Sequence, residues 1–323
     1  MIKLKEMNWL RFGILLAVLA LSGACGSNDE VTSGSAKVDF EITDAPSDDA
    51  SVKGVVVTIA ELKIDGKSVE GFQKQTVDLK AYNEGNTKLL GNTTLQSGTR
   101  GNITMVLDLD SDANGNAPGC YVLTQDNTKH KLQSTGTGLL ELAINKQWTV
   151  RTELENKVVL DFDIRKAITR SENTGSQYSF VAAEDLRSSV RVVTRENAGM
   201  IRGSFESNEN VESEKVVVYA YKKGTFNAAT ETQSGENQIQ FRNAVTSAEV
   251  KASITGETYT LAFLESGEYE LHFIGYNVNE SDGRLVYGAR LDAESNVNGN
   301  VGNLVKVDAG ATVQISSSVK GIF

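Results

Sequence analysis

The sequence predicts an all-β protein built as two tandem β-sandwich domains, and three observations carry that reading. Apolar and polar residues alternate with a period of two from residue 36 onward, the spacing of strands with one buried face. Turn-forming pairs punctuate these runs at short intervals: Asp65-Gly66, Ser97-Gly98, Asn114-Gly115, Ser266-Gly267 and Asp282-Gly283. No stretch after residue 25 keeps the spacing of a long amphipathic helix; Ala182 to Ser189 comes nearest, and it reads equally well as strand. At 323 residues the chain exceeds what one core usually supports, so two domains are expected. With 40% hydrophobic and 23% charged residues it is neither a disordered chain nor a polytopic membrane protein.

Taken in order, the first element is an export segment. Lys3, Lys5 and Arg11 precede a ten-residue apolar run, Phe12 to Leu21, too short to span a bilayer. Ser22-Gly23-Ala24 then leads into Cys25. Residues 1–24 resemble a bacterial lipoprotein signal peptide, in which the cysteine is lipidated with chains such as palmitate and begins the mature protein. The usual motif places Leu three residues before the cysteine, where this chain has Ser22, and cleavage after Ala24 by an ordinary secretory peptidase is the alternative. Residues 25–35 then read as the lipidated cysteine and a flexible, polar tether. Within it Asn28-Asp29-Glu30 resembles the surface-export tag of lipoproteins in the Bacteroidetes. The resemblance implies an outer-membrane lipoprotein facing outward, with the periplasmic face as the alternative. Its membrane partner would be reached through the N-terminal lipid.

The first sandwich is expected over 36–197. Val38, Phe40 and Ile42 alternate with Lys37, Asp39, Glu41 and Thr43; Leu140, Leu142 and Ile144 with Glu141; and Leu160, Phe162 and Ile164 with Asp161, Asp163 and Arg165. A boundary falls at Glu196-Asn197-Ala198-Gly199, after the run Val190 to Val193. The second sandwich, 198–323, repeats the alternation at Tyr259, Leu261, Phe263 and at Tyr269, Leu271, Phe273. An outer-membrane barrel would need aromatic girdles on nearly every strand, and aromatics make up only 7% of this chain.

Several segments of the first domain, FEITDAP (40–46), VVVTIAEL (55–62), TVDL (76–79), TKLLG (87–91) and VVLDFDIRKAI (158–168), together resemble a bacterial family known as domain of unknown function 4382. The family implies an exported β-sandwich and no catalytic residues. This chain departs from it at 108–119, a polar insertion between two strands. The second domain, through YTLAFLESGEYELHF (259–273), resembles transthyretin-like or carboxypeptidase-regulatory sandwiches, which are usually accessory.

The chemistry offered by the residues is sparse. A formal net charge of −10, or −12 once residues 1–24 are removed, opposes nucleic-acid binding. Asp108, Asp110, Asp112, Asn114 and Asn116 place oxygens at every second position, and Asp110-x-Asp112-x-Asn114-Gly115 matches the opening of a calcium loop. The closing acidic ligand is replaced by Tyr121, and an acidic hairpin turn produces the same letters, so Ca2+ is one of two readings. Asp161, Asp163 and Arg165 suggest either an acid–base pair or charges that solvate a sheet or pair across it. The Asp44–Asp49 cluster reads as a turn or as added metal ligands. His130 and His272 lack the spacing of a zinc helix, Cys120 reads as packed, and Trp148 reads as core. Tyr219, Tyr221, Tyr276 and Tyr287 are candidates for stacking on a sugar. The expected function is therefore a non-enzymatic binding or adhesion module for a glycan or an envelope protein. A purely structural scaffold is the alternative, and a hydrolase is disfavoured by the thin inventory of nucleophiles and bases.

Overall fold

The computed structural model describes residues 34–45, 49–136, 138–170, 178–207, 213–233, 239–281 and 283–323. Cys25, the export segment, most of the tether, and Pro46 to Asp48 lie outside the described residues. Ser35–Phe323 forms one compact unit.

Thirteen strands precede residue 198. They are β1 (Ser35–Ala45), β2 (Val52–Ile64), β3 (Lys67–Ser68), β4 (Gln75–Asp78), β5 (Lys88–Gln96), β6 (Gly98–Asp108) and β7 (Tyr121–Thr124). After them come β8 (Lys129–Lys131), β9 (Leu139–Val150), β10 (Asn156–Asp163), β11 (Ile168–Arg170), β12 (Tyr178–Phe180) and β13 (Val190–Thr194). Two short helices interrupt this half, α1 (Ile164–Ala167) and α2 (Ala183–Ser188), the latter settling the ambiguous 182–189 run as helix. A four-stranded sheet in the order β13-β10-β1-β5 faces a seven-stranded sheet in the order β8-β7-β2-β6-β9, with β3 and β4 added to β2. Between them the alternating residues meet as one core: Phe40 and Ile42 from β1, Ile59 from β2, Met105 from β6, Leu142 from β9, and Leu160 and Phe162 from β10. Trp148 joins it, 5% exposed, with its ring edge-on to Phe40 at 6.0 Å.

The remaining ten strands are β14 (Ala198–Ser207), β15 (Lys215–Lys222), β16 (Thr246–Glu249), β17 (Lys251–Ser253) and β18 (Gly256–Glu265), then β19 (Gly267–Val278), β20 (Leu285–Val297), β21 (Asn300–Gly302), β22 (Leu304–Val307) and β23 (Thr312–Ile322). A third short helix, α3 (Ala228–Glu231), lies in the β15–β16 connection. All ten strands belong to one sheet, whose main path runs β16-β15-β19-β20-β23-β14-β18-β17. This second half obtains its two layers by bending one sheet around a core, so that Phe205 of β14 and Tyr259 of β18 meet Phe273 of β19 at ring distances of 5.2 and 5.5 Å. The Ser266-Gly267 turn joins β18 to β19 across these layers, since β18 pairs with β14 and β17 while β19 pairs with β15, β20 and β22. Gly203 is required here because an added Cβ would fall 2.1 Å from the Tyr259 ring.

The second half covers the outer face of the four-stranded sheet. Val159 and Val193 pack there against Ala198, Ala262 and Phe263. Burial on both faces explains why β10 is almost continuously buried rather than alternating. The interlock runs both ways, because Ile239 from the β15–β16 connection is buried in the core of the first half.

Candidate functional site

The Asp-rich loop links β6 to β7, where the insertion was expected, and its carboxylates turn inward to their own backbone. Asp108 Oδ1 accepts from the Asp110 and Ser111 N–H groups at 2.9 and 3.0 Å, and its Oδ2 accepts from Ser111 Oγ at 3.0 Å and Lys74 Nζ at 2.7 Å. Burial pushes the Asp108 carboxyl up, but the Lys74 and Ser111 donors outweigh it and hold the group at about 2. Asp112 accepts from the Asn114 and Asn116 N–H groups, both at 2.8 Å, and those bonds lower it. Asp110 pairs with Lys131 at 2.8 Å. Asn114 and Asn116 remain exposed. Among the described residues, no three Asp, Glu, His or Cys side chains converge as a metal site would require. The loop closes tightly on itself: a Cβ at Gly119 would sit 2.2 Å from the Asp108 carbonyl oxygen. Cys120 donates its thiol to that same carbonyl at 3.3 Å, and burial pushes it up to about 12, so it is packed.

Asp161, Asp163 and Arg165 lie in the contact between the halves, not on a solvated face. Asp161 pairs with Arg191, directly opposite on β13. Asp163 Oδ2 accepts from Arg165 at 3.0 Å and lies 3.3 Å from Lys166 Nζ. Burial would raise Asp163, and the two cations beside it hold it below the ordinary carboxylate value. The Arg165 side chain is 1% exposed. Its guanidinium crosses into the second half, donates to the carbonyls of Gln240 (2.7 Å) and Phe241 (3.1 Å), and lies 5.4 Å from the centre of the Tyr219 ring. Lys166 donates to the Ala244 carbonyl at 2.6 Å. Arg191 likewise reaches the Phe263 carbonyl at 3.3 Å. Phe241 and Phe263 both adopt left-handed backbone, φ 52° and 54°, conformations that cost a bulky residue about 1–3 kcal/mol and persist because the surrounding contacts demand them. Each therefore presents its carbonyl to an arginine of the other half. The carboxylates thus hold Arg165, Lys166 and Arg191 in place, and these cations carry the contact across to carbonyls of the second half.

The histidines are similarly engaged. His130 Nε2 lies 3.3 Å from Thr124 Oγ1, whose proton goes to Asp126 at 2.5 Å. His272 stacks on Phe226 at 3.6 Å and meets Tyr221 edge-on at 5.6 Å. Burial lowers it to about 4, the nearby Arg290 adding to the effect and Glu270 opposing it. The four tyrosines do share one face of the second sheet, but a sugar platform is not what they form. Tyr219, Tyr221 and Tyr276 are 1%, 0% and 3% exposed beneath the β15–β16 connection. Phe241 stacks on Tyr219 at 4.4 Å, and Tyr219 and Tyr276 share a hydroxyl hydrogen bond at 2.8 Å. Glu231 pins this cover by accepting from the Tyr221 hydroxyl at 2.6 Å and from the Asn243 N–H at 3.1 Å.

A concavity with room for a ligand, formed by described residues, is one that sequence reasoning missed. A groove of about 420 Å³ runs between β9 and β13, closed along its sides by α2 and Glu265. Its walls are consecutive residues, Ala143–Lys146 and Val190–Val193. A strand that lines a cavity with every residue presents its backbone edge, since side chains alone would appear at every second position. Both strands end their sheets, β9 pairing with β6 and β13 with β10. The side chains of Ile144, Val190 and Val192 turn into the core, so the groove is edged by Lys146, Arg187 and Arg191, and Lys146 pairs with Glu265 at 2.9 Å. Only long-range pairing of two sheet edges creates this site, so no local motif could have announced it.

Residues 35–182 match the protein family described as "Domain of unknown function (DUF4382)". No curated protein matches the chain. Among solved structures, a leucine-rich repeat protein from Bacteroides thetaiotaomicron is 12% identical over 88% of this chain, with a TM-score of 0.22. The chain spans only 26% of that protein's length. The major pilin protein (T-13) of Streptococcus pyogenes is 10% identical over 90% of this chain and 100% of its own, with a TM-score of 0.20. BcpA, the major pilin subunit of Bacillus cereus, is 10% identical over 89% of this chain and 71% of its own, with a TM-score of 0.21.

Proposed function

We propose that this chain is a lipid-anchored lipoprotein of the cell envelope, displayed on the outer membrane, whose β body is a non-enzymatic binding module. The observation that carries the binding role is the groove between β9 and β13. It combines two sheet edges with the charged side chains of Lys146, Glu184, Arg187, Arg191 and Glu265, the ingredients of a polar recognition surface. The anchor rests on the pattern of residues 1–25. The halves 36–197 and 198–323 act as one body, because Arg165, Lys166 and Arg191 of the first end on carbonyls of the second. The absence of catalysis is supported by how the ionisable groups are used: Asp161 and Asp163 are ion-paired, and both histidines lie against aromatic or hydroxyl neighbours.

The test is a glycan and matrix-protein array probed with the chain from residue 26, beside a variant whose groove is filled by Ser188→Trp. Binding by the wild type that the tryptophan abolishes is the expected result. Binding that ignores the tryptophan removes the groove from the account, and silence on every array leaves a structural scaffold as the better reading. For the anchor, wild type should incorporate labelled palmitate and fractionate with membranes, whereas Cys25→Ala should do neither.

A further inference from the structure

A second, much smaller cavity lies where the two halves meet, with Asp44, Glu84 and Asp161 of the first half facing Thr246, Ser247 and Thr260 of the second. Among its described lining residues there is no Lys or Arg, and every polar side chain offers oxygen. Two of these oxygens are buried without a partner. Asp44 is 5% exposed; its Oδ1 accepts from the Ile164 N–H at 3.1 Å, while Oδ2 has no hydrogen bond. Ser247, on the opposite wall, is 4% exposed and its Oγ has no hydrogen bond either. The other carboxylates are already compensated, Asp161 by Arg191 and Glu84 by Lys251 at 2.5 Å. Asp44 is therefore the carboxylate of this cavity without an ion pair among the described residues. Burial raises its carboxyl well above the ordinary value, with Asp163 and Asp161 adding to the rise and Lys80 and the Ile164 hydrogen bond opposing it.

We infer that this cavity binds one hard cation, held by Asp44 Oδ2 and Ser247 Oγ from opposite halves of the molecule. The space, about 10 Å³, admits a single atom-sized occupant. An all-oxygen wall without thiol or imidazole selects Na+ or Ca2+ over transition metals. Among the described residues no three acidic side chains converge here, so the hydroxyl oxygens lining the cavity complete the shell. Such an ion would neutralise Asp44, give Ser247 Oγ a partner and tie the halves together, independently of any ligand in the β9–β13 groove.

The experiment is thermal unfolding of the full chain with CaCl2 or NaCl, against choline chloride at equal ionic strength. Saturable binding should raise the midpoint by about 2–4 °C for each tenfold increase in ion above its Kd. Ca2+ alone raising it identifies a divalent site, and Na+ doing so identifies a monovalent one. Asp44→Asn should abolish the rise and Ser247→Ala should weaken it, the second serving if the first does not fold. Asp112→Asn, in the Asp-rich loop, should leave it intact. No specific rise with either ion overturns the inference and leaves Asp44 protonated. A rise that survives Asp44→Asn or Ser247→Ala unchanged, or vanishes in Asp112→Asn, also overturns it by placing the ion elsewhere.

Discussion

Replacing Arg165 with Met keeps most of the side chain's length and removes its charge. In the native protein that guanidinium is 1% exposed, ion-paired to Asp163 at 3.0 Å, and bonded to the Gln240 and Phe241 carbonyls. The variant leaves Asp163, itself 8% exposed at the side chain, with Lys166 as its remaining partner, and strips a donor from two carbonyls of the second half. Breaking a buried pair from one side typically costs about 3–5 kcal/mol, which corresponds to roughly 10 °C in the unfolding midpoint for a body of this size. Urea denaturation followed by Trp148 fluorescence in the first half and by amide hydrogen exchange of second-half strands is the assay. Wild type should show one coincident transition, and Arg165→Met a lower midpoint with the two probes separating. The double variant Asp163→Asn/Arg165→Met should recover part of the loss, since the stranded charge is gone. A loss below about 1 kcal/mol, far under the range for breaking a buried pair, would refute the argument that this arginine joins the halves. So would full coincidence of the probes in Arg165→Met.

His272 should make the fold acid-sensitive. Its imidazole takes a proton at about 4 in the folded protein and near the ordinary 6.5 when unfolded, so the unfolded chain binds more protons between those values. Stability should fall as pH drops from 6.5 to 4, by about 3 kcal/mol in all, and His272→Gln should flatten that limb in urea titrations at each pH. Asp108, held at about 2, has the ordinary carboxylate sign. Its contribution, reduced by solvent screening, should be present above pH 4 and lost as pH falls through 2, with Lys74→Met reducing it. Glu231→Ala should cost about 1–3 kcal/mol by leaving the Tyr221 hydroxyl unpaired, and limited proteolysis should then cut within 226–245. Resistance of that segment equal to wild type would show that Glu231 does not pin it.

Much of this architecture was legible because it is local. Alternation placed Phe40, Leu142, Leu160 and Phe273 inward, and the polar run after Asp108 marked its own loop between β6 and β7. Alternation also set Asp161 and Asp163 apart from the apolar residues, yet what covers their side of the sheet depends on a second half that begins at Ala198. The same gap explains the tyrosines. Period two puts Tyr219 and Tyr221 together, but nothing in those strands reveals that Phe241, twenty residues later, closes over them. The groove and the small cavity are further out of reach, because each is assembled from strands distant in the chain whose apposition is a tertiary event.

The position of β1 has a mechanical consequence. It is an inner strand, paired in parallel with β10 over Val38–Ala45 and antiparallel with β5 over Ser35–Ile42. Tension entering at Ser35 pulls along the strand's own axis, so the backbone bonds on both sides share the load and must yield together instead of opening one after another. A hairpin pulled at its open end unzips; a strand drawn lengthwise between two neighbours resists as a unit. The start of the body is thus built to bear a pulling force applied along β1 at Ser35.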